Sequence, residues 1–78
     1  MLAAKLMDLL KSVRPESDFT RSEDFLEDGL LDSFDMLTLV STIDDEFDIS
    51  IDGLDIVPDH FRNVQAISLL IARYGVTQ

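Results

Sequence analysis

The chain has 78 residues with 16 acidic and 6 basic side chains, which gives a formal net charge of −10 at pH 7. This charge repels phosphate backbones and anionic membrane surfaces, so we expect no nucleic-acid partner. A chain of this length has room for a single domain, residues 1–78, and without cysteine that domain has neither a disulfide framework nor a thiolate zinc site.

The first segment predicts an amphipathic helix. Its apolar residues recur at helical spacing, and they are Leu2, Leu6, Leu9, Leu10 and Val13. Pro15 disfavours a helical conformation at Arg14, so the helix should end there. Asp8 interrupts the apolar residues and no small-residue cleavage pattern follows, so we expect no secretory signal and a cytoplasmic protein. No apolar run approaches the ~20 residues needed to span a bilayer, so we expect no stable membrane insertion.

The next segment, residues 15–31, shows no sustained period. It nevertheless carries several apolar residues among many acids, namely Phe19, Phe25, Leu26, Leu30 and Leu31. This pattern predicts a long loop that is pinned to the core. Since such long structureless connections are unusual in compact domains, the loop should be functional or contain a short helical turn around Ser22 to Leu26.

A second helix is predicted from Phe34 onwards. The apolar residues of its stripe follow intervals of three and four, and they are Phe34, Leu37, Val40, Ile43 and Phe47. Asp32 or Ser33 can cap this helix, because a side-chain oxygen at that position accepts from an unpaired first-turn amide. Ser33 therefore lies at the junction between the loop and the second helix.

The remaining residues predict a short helix and a last long one. Ile49 and Ile51 alternate with polar neighbours before Gly53, which indicates extended chain entering a turn. Pro58 suits the first position of a short helix of one or two turns, and Phe61 would anchor it.

Asn63 can cap the last helix and Gly75 can end it. The stripe of this helix consists of Val64, Ile67, Leu70, Ile71 and Tyr74. The fold class predicted for the whole chain is all-α, a small bundle of three main helices plus one short helix.

The stretch with the clearest chemical potential is Gly29-Leu30-Leu31-Asp32-Ser33-Phe34-Asp35. It places the Ser33 hydroxyl at a helix start with apolar residues on both sides. First-turn amides and the helix dipole favour an anion there, so the hydroxyl suits attachment of a phosphodiester. No sequence neighbour supplies a base, which argues against a self-sufficient nucleophile, and we assign no catalytic residue. The alternative is that Ser33 only caps the helix.

These residues resemble a known family. Asp32-Ser33-Phe34, followed by a helix through Asp44-Asp45-Glu46-Phe47, is similar to the phosphopantetheine-attachment region of acyl carrier proteins, and Val64-Gln65-Ala66-Ile67 resembles the start of their last helix. The likeness covers nearly the whole chain, in the order helix, long loop, serine-led helix, short helix and final helix. It implies that Ser33, beside Asp32, carries a covalent 4'-phosphopantetheine. The arm would hold an acyl or aminoacyl group as a thioester.

The resemblance also implies partners. In acyl carrier proteins an acidic face on the second helix is recognised by basic patches of enzymes, which here points to Asp35, Asp44, Asp45 and Glu46. The expected partners of this monomer are a phosphopantetheinyl transferase, an adenylate-forming acyl or aminoacyl ligase, and a downstream acyltransferase or synthase. The alternative for the acids is a merely solvated face.

Two sequence features help to distinguish between kinds of carrier protein. Phe34 after the serine and Gly29-Leu30-Leu31 before it look closer to D-alanyl carrier proteins and similar stand-alone carriers than to carriers of ordinary fatty acid synthesis. A D-alanyl carrier protein proper, acting in cell-envelope D-alanylation, is therefore one alternative. Another is an acidic interaction module of the same fold that carries nothing.

A calcium loop is a further alternative. Its first, third, fifth, sixth and twelfth positions would be Asp48, Ser50, Asp52, Gly53 and Asp59. The pattern is imperfect, because the last ligand is normally glutamate and a proline precedes it here. The single histidine, His60, has no clustered ligand or relay partner in the sequence. We therefore expect no metal site.

Overall fold

The computed structural model describes residues 2–76. Within them the chain forms three α-helices, α1 (Leu2–Val13), α2 (Ser33–Phe47) and α3 (Val64–Ala72). Three single 3₁₀ turns lie between them, at Phe19–Arg21, Gly53–Asp55 and Pro58–His60, and this part of the chain contains no β-strand. The all-α prediction is confirmed. A short 3₁₀ helix, Pro58–His60, begins at the proline predicted to start the short helix, but no fourth α-helix forms within residues 2–76.

Helix α1 buries one side of its predicted stripe. Leu2, Leu6 and Leu10 are buried at intervals of four residues, which places them on one face of the helix. The helix ends at Val13, just before the residue that Pro15 restrains. No helix within residues 2–76 combines the length and the apolar character that a bilayer crossing requires.

Helix α2 has a different buried face from the predicted one. The residues that it buries are Met36, Leu39, Val40 and Ile43. Phe34 and Leu37 were predicted to belong to this face, but their side chains are 80% and 56% exposed. The reason is geometric: steps of three residues rotate by about 60° away from a fixed direction on an α-helix, so a stripe built from such steps leaves the core face.

The long loop between α1 and α2 is pinned to the core as predicted. Phe19 and Phe25 are buried, and their rings meet edge to face with centroids 4.9 Å apart. The backbone amide of Phe25 donates to the carbonyl of Arg62 over 2.6 Å, which ties the loop to the segment before α3. A helical turn was expected around Ser22 to Leu26, and the chain turns there, with the Asp28 amide donating to the Asp24 carbonyl over 3.0 Å. A separate 3₁₀ turn lies earlier, at Phe19–Arg21. Asp18 caps that turn by accepting from the Thr20 amide.

The buried ring of Phe61 and the carboxylate of Asp55 both help to hold the segment between α2 and α3. Phe61 is fully buried, as expected for the anchor of this segment. The carboxylate of Asp55 accepts from the Tyr74 hydroxyl over 2.5 Å and from Arg73 Nη2 over 3.0 Å. The Tyr74 oxygen in turn accepts from the Asp52 amide over 3.0 Å. The segment is thereby fastened to the residues that follow α3.

Helix α3 starts where the sequence predicted. Asn63 is its N-cap, and its side-chain oxygen accepts from the Ala66 amide over 2.7 Å. Ile67, Leu70 and Ile71 are buried. The helix ends at Ala72, earlier than the predicted stripe, and the chain turns at Gly75, whose φ of +90° is a left-handed conformation. All three helices thus contribute to one hydrophobic core.

Candidate functional site

Ser33 is the first residue of α2, and its side chain is exposed. The N-cap is Asp32, whose carboxylate accepts from the Asp35 amide over 2.9 Å. The Asp35 carboxylate accepts in return from the Asp32 amide over 3.1 Å, which completes a capping box. Of the two caps that the sequence allowed, the structure uses Asp32. Among residues 2–76 no side-chain hydrogen bond involves the Ser33 hydroxyl, so it faces solvent at the positive end of a helix.

A single arginine contacts both carboxylates of the capping box. Arg14, the residue after α1, places Nη1 against Asp35 Oδ2 and 3.9 Å from Asp32 Oδ2. Its Nε lies 3.0 Å from Glu16 Oε2. The side chains of Arg14 and Asp35 are 28% and 16% exposed, so their contact is shielded in part from water. Ser33 is therefore flanked by two carboxylates that share one cation.

These contacts determine the charge beside Ser33. The hydrogen bond from the Asp35 amide and the charge of Arg14 lower the pKa of Asp32. The hydrogen bond to Asp35 raises the pKa of Arg14, so the guanidinium stays charged. The start of α2 thus contains an ionised carboxylate and a permanent cation at neutral pH.

Sequence reasoning missed Arg14 as a member of the site. Its partner Asp35 is 21 residues away in the chain, and no local pattern predicts such a contact. The available signal was weak: Arg14 is one of only 6 basic residues, and it lies at the predicted end of a helix. A basic residue at the end of a helix is already explained by its favourable interaction with the helix C-terminus, so its position does not indicate a further partner.

The side chains of Phe34 and Leu37 form an exposed apolar pair next to Ser33. They are three residues apart on α2 and therefore lie on neighbouring parts of its surface. Large exposed apolar side chains that lie together are typical of contact surfaces. Both residues were predicted to lie in the core, so their exposure is a finding of the structure.

The four acids predicted to meet partners do not share one face. Asp35 belongs to the Arg14 cluster. Asp44 accepts from the Ile51 amide over 3.1 Å and so supports the chain after α2, while Glu46 pairs with Lys5 over 2.9 Å. Asp45 is exposed, and within residues 2–76 no hydrogen bond or ion pair engages its carboxylate. Three successive residues on a helix point in directions about 100° apart, which explains the separation of Asp44, Asp45 and Glu46.

The residues of the calcium-loop pattern have structural roles. Asp48 ends α2 in a left-handed conformation with a φ of 54°, and the Asp52 carboxylate accepts from the Leu54 amide over 2.8 Å. His60 Nδ1 lies 2.7 Å from the carbonyl oxygen of Asp55. Throughout residues 2–76 no group of three or more histidine, cysteine or acidic side chains is placed to hold a metal ion. The structure therefore gives the calcium alternative no support.

A surface groove of about 760 Å³ lies away from this start of α2. It is lined by residues of α1, of the pinned loop and of the start of α3, including Met7, Phe19 and Val64. Ser33 and Arg14 are not among its lining residues. The groove and the exposed serine are thus separate features.

Comparison of the chain with protein-family models, with curated proteins and with solved structures found no match. Membership of a family is therefore not shown, and the resemblance to acyl carrier proteins stays a hypothesis. The candidate site consists of the Ser33 hydroxyl, the capping box of Asp32 and Asp35, the cation of Arg14, and the exposed Phe34 and Leu37.

Proposed function

We propose that this chain is an acyl carrier protein that holds an acyl or aminoacyl group as a thioester on a 4'-phosphopantetheine arm attached to Ser33. One observation carries the proposal: the exposed hydroxyl of Ser33 begins α2 while Asp32, and not the serine, supplies the cap. A serine needed as a cap would have its oxygen engaged by a backbone amide. Here the hydroxyl is accessible to a transferring enzyme.

The attachment chemistry suits this position. The Ser33 oxygen attacks the pantetheine-bearing phosphorus of coenzyme A and forms a new oxygen–phosphorus bond. The phosphoanhydride bond breaks, and adenosine 3',5'-bisphosphate leaves. The hydroxyl proton passes to a base of the transferase, which also supplies the metal ion, so the carrier needs no catalytic residue of its own. The product is an anionic phosphodiester at the positive end of α2, where the helix dipole favours it.

The order of the elements supports the proposal. A first helix, a long pinned loop, a serine-led helix, short turns and a final helix follow one another along the chain. This is the order that the resemblance to acyl carrier proteins implies. In the proposed carrier bundle, the two 3₁₀ turns between α2 and α3 correspond to the short helix.

The proposed partners are a phosphopantetheinyl transferase, an adenylate-forming acyl or aminoacyl ligase, and a downstream acyltransferase or synthase. We place the protein in the cytoplasm as a monomer, where coenzyme A and ATP are available to these enzymes. Phe34 and Leu37 would supply the apolar contact beside the arm, and the exposed carboxylate of Asp45 would attract basic surfaces. Whether the cargo is D-alanine or another small acid depends on the ligase.

Intact mass after incubation with coenzyme A and a phosphopantetheinyl transferase tests the attachment. The wild-type protein should gain the mass of one phosphopantetheine group, and Ser33→Ala should gain none. Ser41→Ala is the matched control, because Ser41 is an exposed serine of the same helix, and this variant should be modified like the wild type. Modification of Ser33→Ala at the wild-type yield would refute the site.

The loading route has its own test. The modified protein is incubated with ATP, an adenylate-forming ligase encoded nearby, and a panel of amino and carboxylic acids. A mass addition that hydroxylamine removes would identify the thioester and its cargo. Loading only by a malonyl transferase from coenzyme A would contradict the ligase route and would favour fatty acid or polyketide synthesis.

A second candidate is an acidic interaction module that carries no group. The exposed Phe34 and Leu37 favour it, because an apolar contact pair would serve docking whether or not Ser33 is modified. Failure of several transferases of different specificity to modify the wild-type protein would favour this module. Binding of a partner that is unaffected by Ser33→Ala would support the same conclusion.

A further inference from the structure

The ion pair between Arg14 and Asp35 is the least exposed of those formed within residues 2–76. By contrast, Arg21 and Asp18 pair with side chains that are 87% and 60% exposed. Exposed pairs are screened by water and salt and contribute little, whereas shielded pairs are screened less. The contact at the start of α2 is therefore the ion pair with the greatest capacity to fix a local structure.

Arg14 also joins two parts of the chain that meet at Ser33. Its backbone amide donates to the Leu10 carbonyl over 2.9 Å, so its Cα position is fixed by the end of α1. Nearby, the Ser17 hydroxyl donates to the Leu30 carbonyl over 3.2 Å and brings the two ends of the long loop together. The guanidinium thus reaches the capping box from a rigid base.

We propose that Arg14 is a positioning residue for the transfer of phosphopantetheine to Ser33. Its guanidinium holds Asp35 so that the capping box beside the serine stays closed, and it offsets the negative charges of the two carboxylates in that box. This inference rests on the proposed carrier function. Arg14, the residue after α1, thereby joins a site whose other residues lie at the start of α2.

The charge balance at Ser33 explains why a cation is needed there. The diphosphate of coenzyme A has to approach a serine whose neighbours along the chain include Asp32 and Asp35, in a protein with a net charge of −10. Unbalanced carboxylates at that place would repel the incoming phosphates. Arg14 reduces this repulsion while the Asp35 amide stays engaged by the Asp32 carboxylate.

The shape of the side chain matters as well as its charge. A guanidinium presents several N–H donors in a planar fork. Nη1 of Arg14 donates to Asp35 and lies 3.9 Å from Asp32 Oδ2, while Nε lies 3.0 Å from Glu16 Oε2 without forming a hydrogen bond. A lysine ammonium is a point charge and would satisfy one carboxylate at a time. Arg14→Lys therefore keeps the positive charge but removes the planar guanidinium, so it shows which of the two matters.

The test compares transfer kinetics for the wild type and three variants, with the carrier as the varied substrate. Arg14→Gln should lower kcat/KM by about tenfold, with a lower kcat as well as a higher KM. The kcat/KM of Arg14→Lys should lie between those of the wild type and Arg14→Gln. Arg21→Gln removes the same charge from an exposed pair within the loop, so it controls for net charge and should stay within about twofold of wild type. Equal kinetics for Arg14→Gln and Arg21→Gln, or a wild-type rate for Arg14→Lys, would overturn the proposal.

Amide hydrogen exchange of the unmodified proteins provides a readout that needs no transferase. In Arg14→Gln the Asp32 and Asp35 amides should exchange faster by at least about threefold, because both belong to the capping box, while the Ala66 amide under the Asn63 cap should be unchanged. Unchanged exchange at Asp32 and Asp35 would overturn the positioning role and leave the carrier function standing. A wild-type protein that no transferase modifies would instead remove the carrier function, and the transfer role of Arg14 with it.

Discussion

Two regions of the molecule contain an arginine–carboxylate ion pair, but the pair has a different consequence in each. At the start of α2, Arg14 contacts the carboxylates of Asp32 and Asp35, and the exposed Ser33 lies between them. In the segment between α2 and α3, the Asp55 carboxylate contacts Arg73 and the Tyr74 hydroxyl. Both regions therefore combine an arginine with carboxylates, but their surroundings differ.

The difference lies in what each cluster leaves at the surface. The Asp55 cluster joins the segment to the end of α3, and Phe61 of the same segment is fully buried. The Arg14 cluster supports a helix start whose hydroxyl and two apolar side chains, Phe34 and Leu37, remain exposed. An arginine–carboxylate contact alone thus indicates only a structural junction. The exposed serine at a helix N-terminus is what makes one of the two junctions a candidate attachment site.

The largest expected effect is on the free energy of unfolding, and it should differ between phenylalanine substitutions in the two regions. Phe61→Ala removes a fully buried ring and should lower the free energy of unfolding by about 3–5 kcal/mol, enough to unfold much of a domain this small. Phe34→Ala removes an exposed ring and should change it by less than about 0.5 kcal/mol. Urea unfolding followed by circular dichroism measures both. A large loss for Phe34→Ala would show that the start of α2 is packed and would break the comparison.

A smaller effect is expected from the Asp55 carboxylate. The Tyr74 hydroxyl and the Arg73 charge lower the pKa of Asp55 below its ordinary value of 3.8. A lowered pKa means that its stabilising contribution is present above about pH 4 and is lost as the pH falls through the value in the folded protein. Asp55→Asn should therefore lower the stability at pH 7 and flatten its fall below pH 4.

Asp45→Asn is the matched control for that change, because Asp45 is an exposed acid that no described residue engages. It should leave the acid limb of the stability curve as in the wild type. Thermal unfolding between pH 2 and pH 7, roughly the range in which carboxylates titrate, measures both variants. The same curve for Asp55→Asn and Asp45→Asn would contradict the structural role of the Asp55 cluster.

A still smaller change is expected from Tyr74→Phe. The hydrogen bond to Asp55 raises the pKa of Tyr74 above its ordinary value of 10.0. A raised pKa means that this contribution is present below pH 10 and is lost as the pH rises through the value in the folded protein. Wild type should thus lose stability above pH 10 more steeply than Tyr74→Phe does. Parallel alkaline curves would exclude a protonated Tyr74 as the partner of Asp55.

The smallest effect on stability is expected at the proposed site itself. Since Asp32 caps α2, Ser33→Ala should change the free energy of unfolding by less than about 0.5 kcal/mol. Asn63→Ala provides the contrast, because it removes the oxygen that caps α3 and should cost about 1 kcal/mol. Comparable losses for the two variants would mean that Ser33 takes part in capping after all.

The elements that could be predicted from the sequence are those whose residues repeat one spacing. Leu2, Leu6 and Leu10 are four residues apart and define α1 without ambiguity. The Asn63 cap was predictable for a similar local reason, since its bond to Ala66 spans only three residues. Helix α2 was placed correctly, but its buried face was not, because apolar residues lie on both sides of it and Phe34 belongs to the exposed side.

The candidate site could be predicted only in part. The position of Ser33 at a helix start followed from the local pattern, and its proposed role followed from the resemblance to a family. The contact between Arg14 and Asp35 could not be predicted, because it joins residues 21 apart and depends on how α1 and the loop pack. The same holds for Asp44 and Glu46, whose partners Ile51 and Lys5 lie outside α2.

The central claim is that Ser33 carries the arm, and peptide-level mass spectrometry of the wild-type protein tests it most directly. After reaction with coenzyme A and a transferase, cleavage after glutamate releases residues 28–46, which contain Ser33, Thr38, Ser41 and Thr42. Fragmentation should place the whole phosphopantetheine mass on Ser33, and the other three hydroxyls serve as internal controls. Mass on any of those three, or a modified protein whose Ser33 fragment is unchanged, would contradict the account.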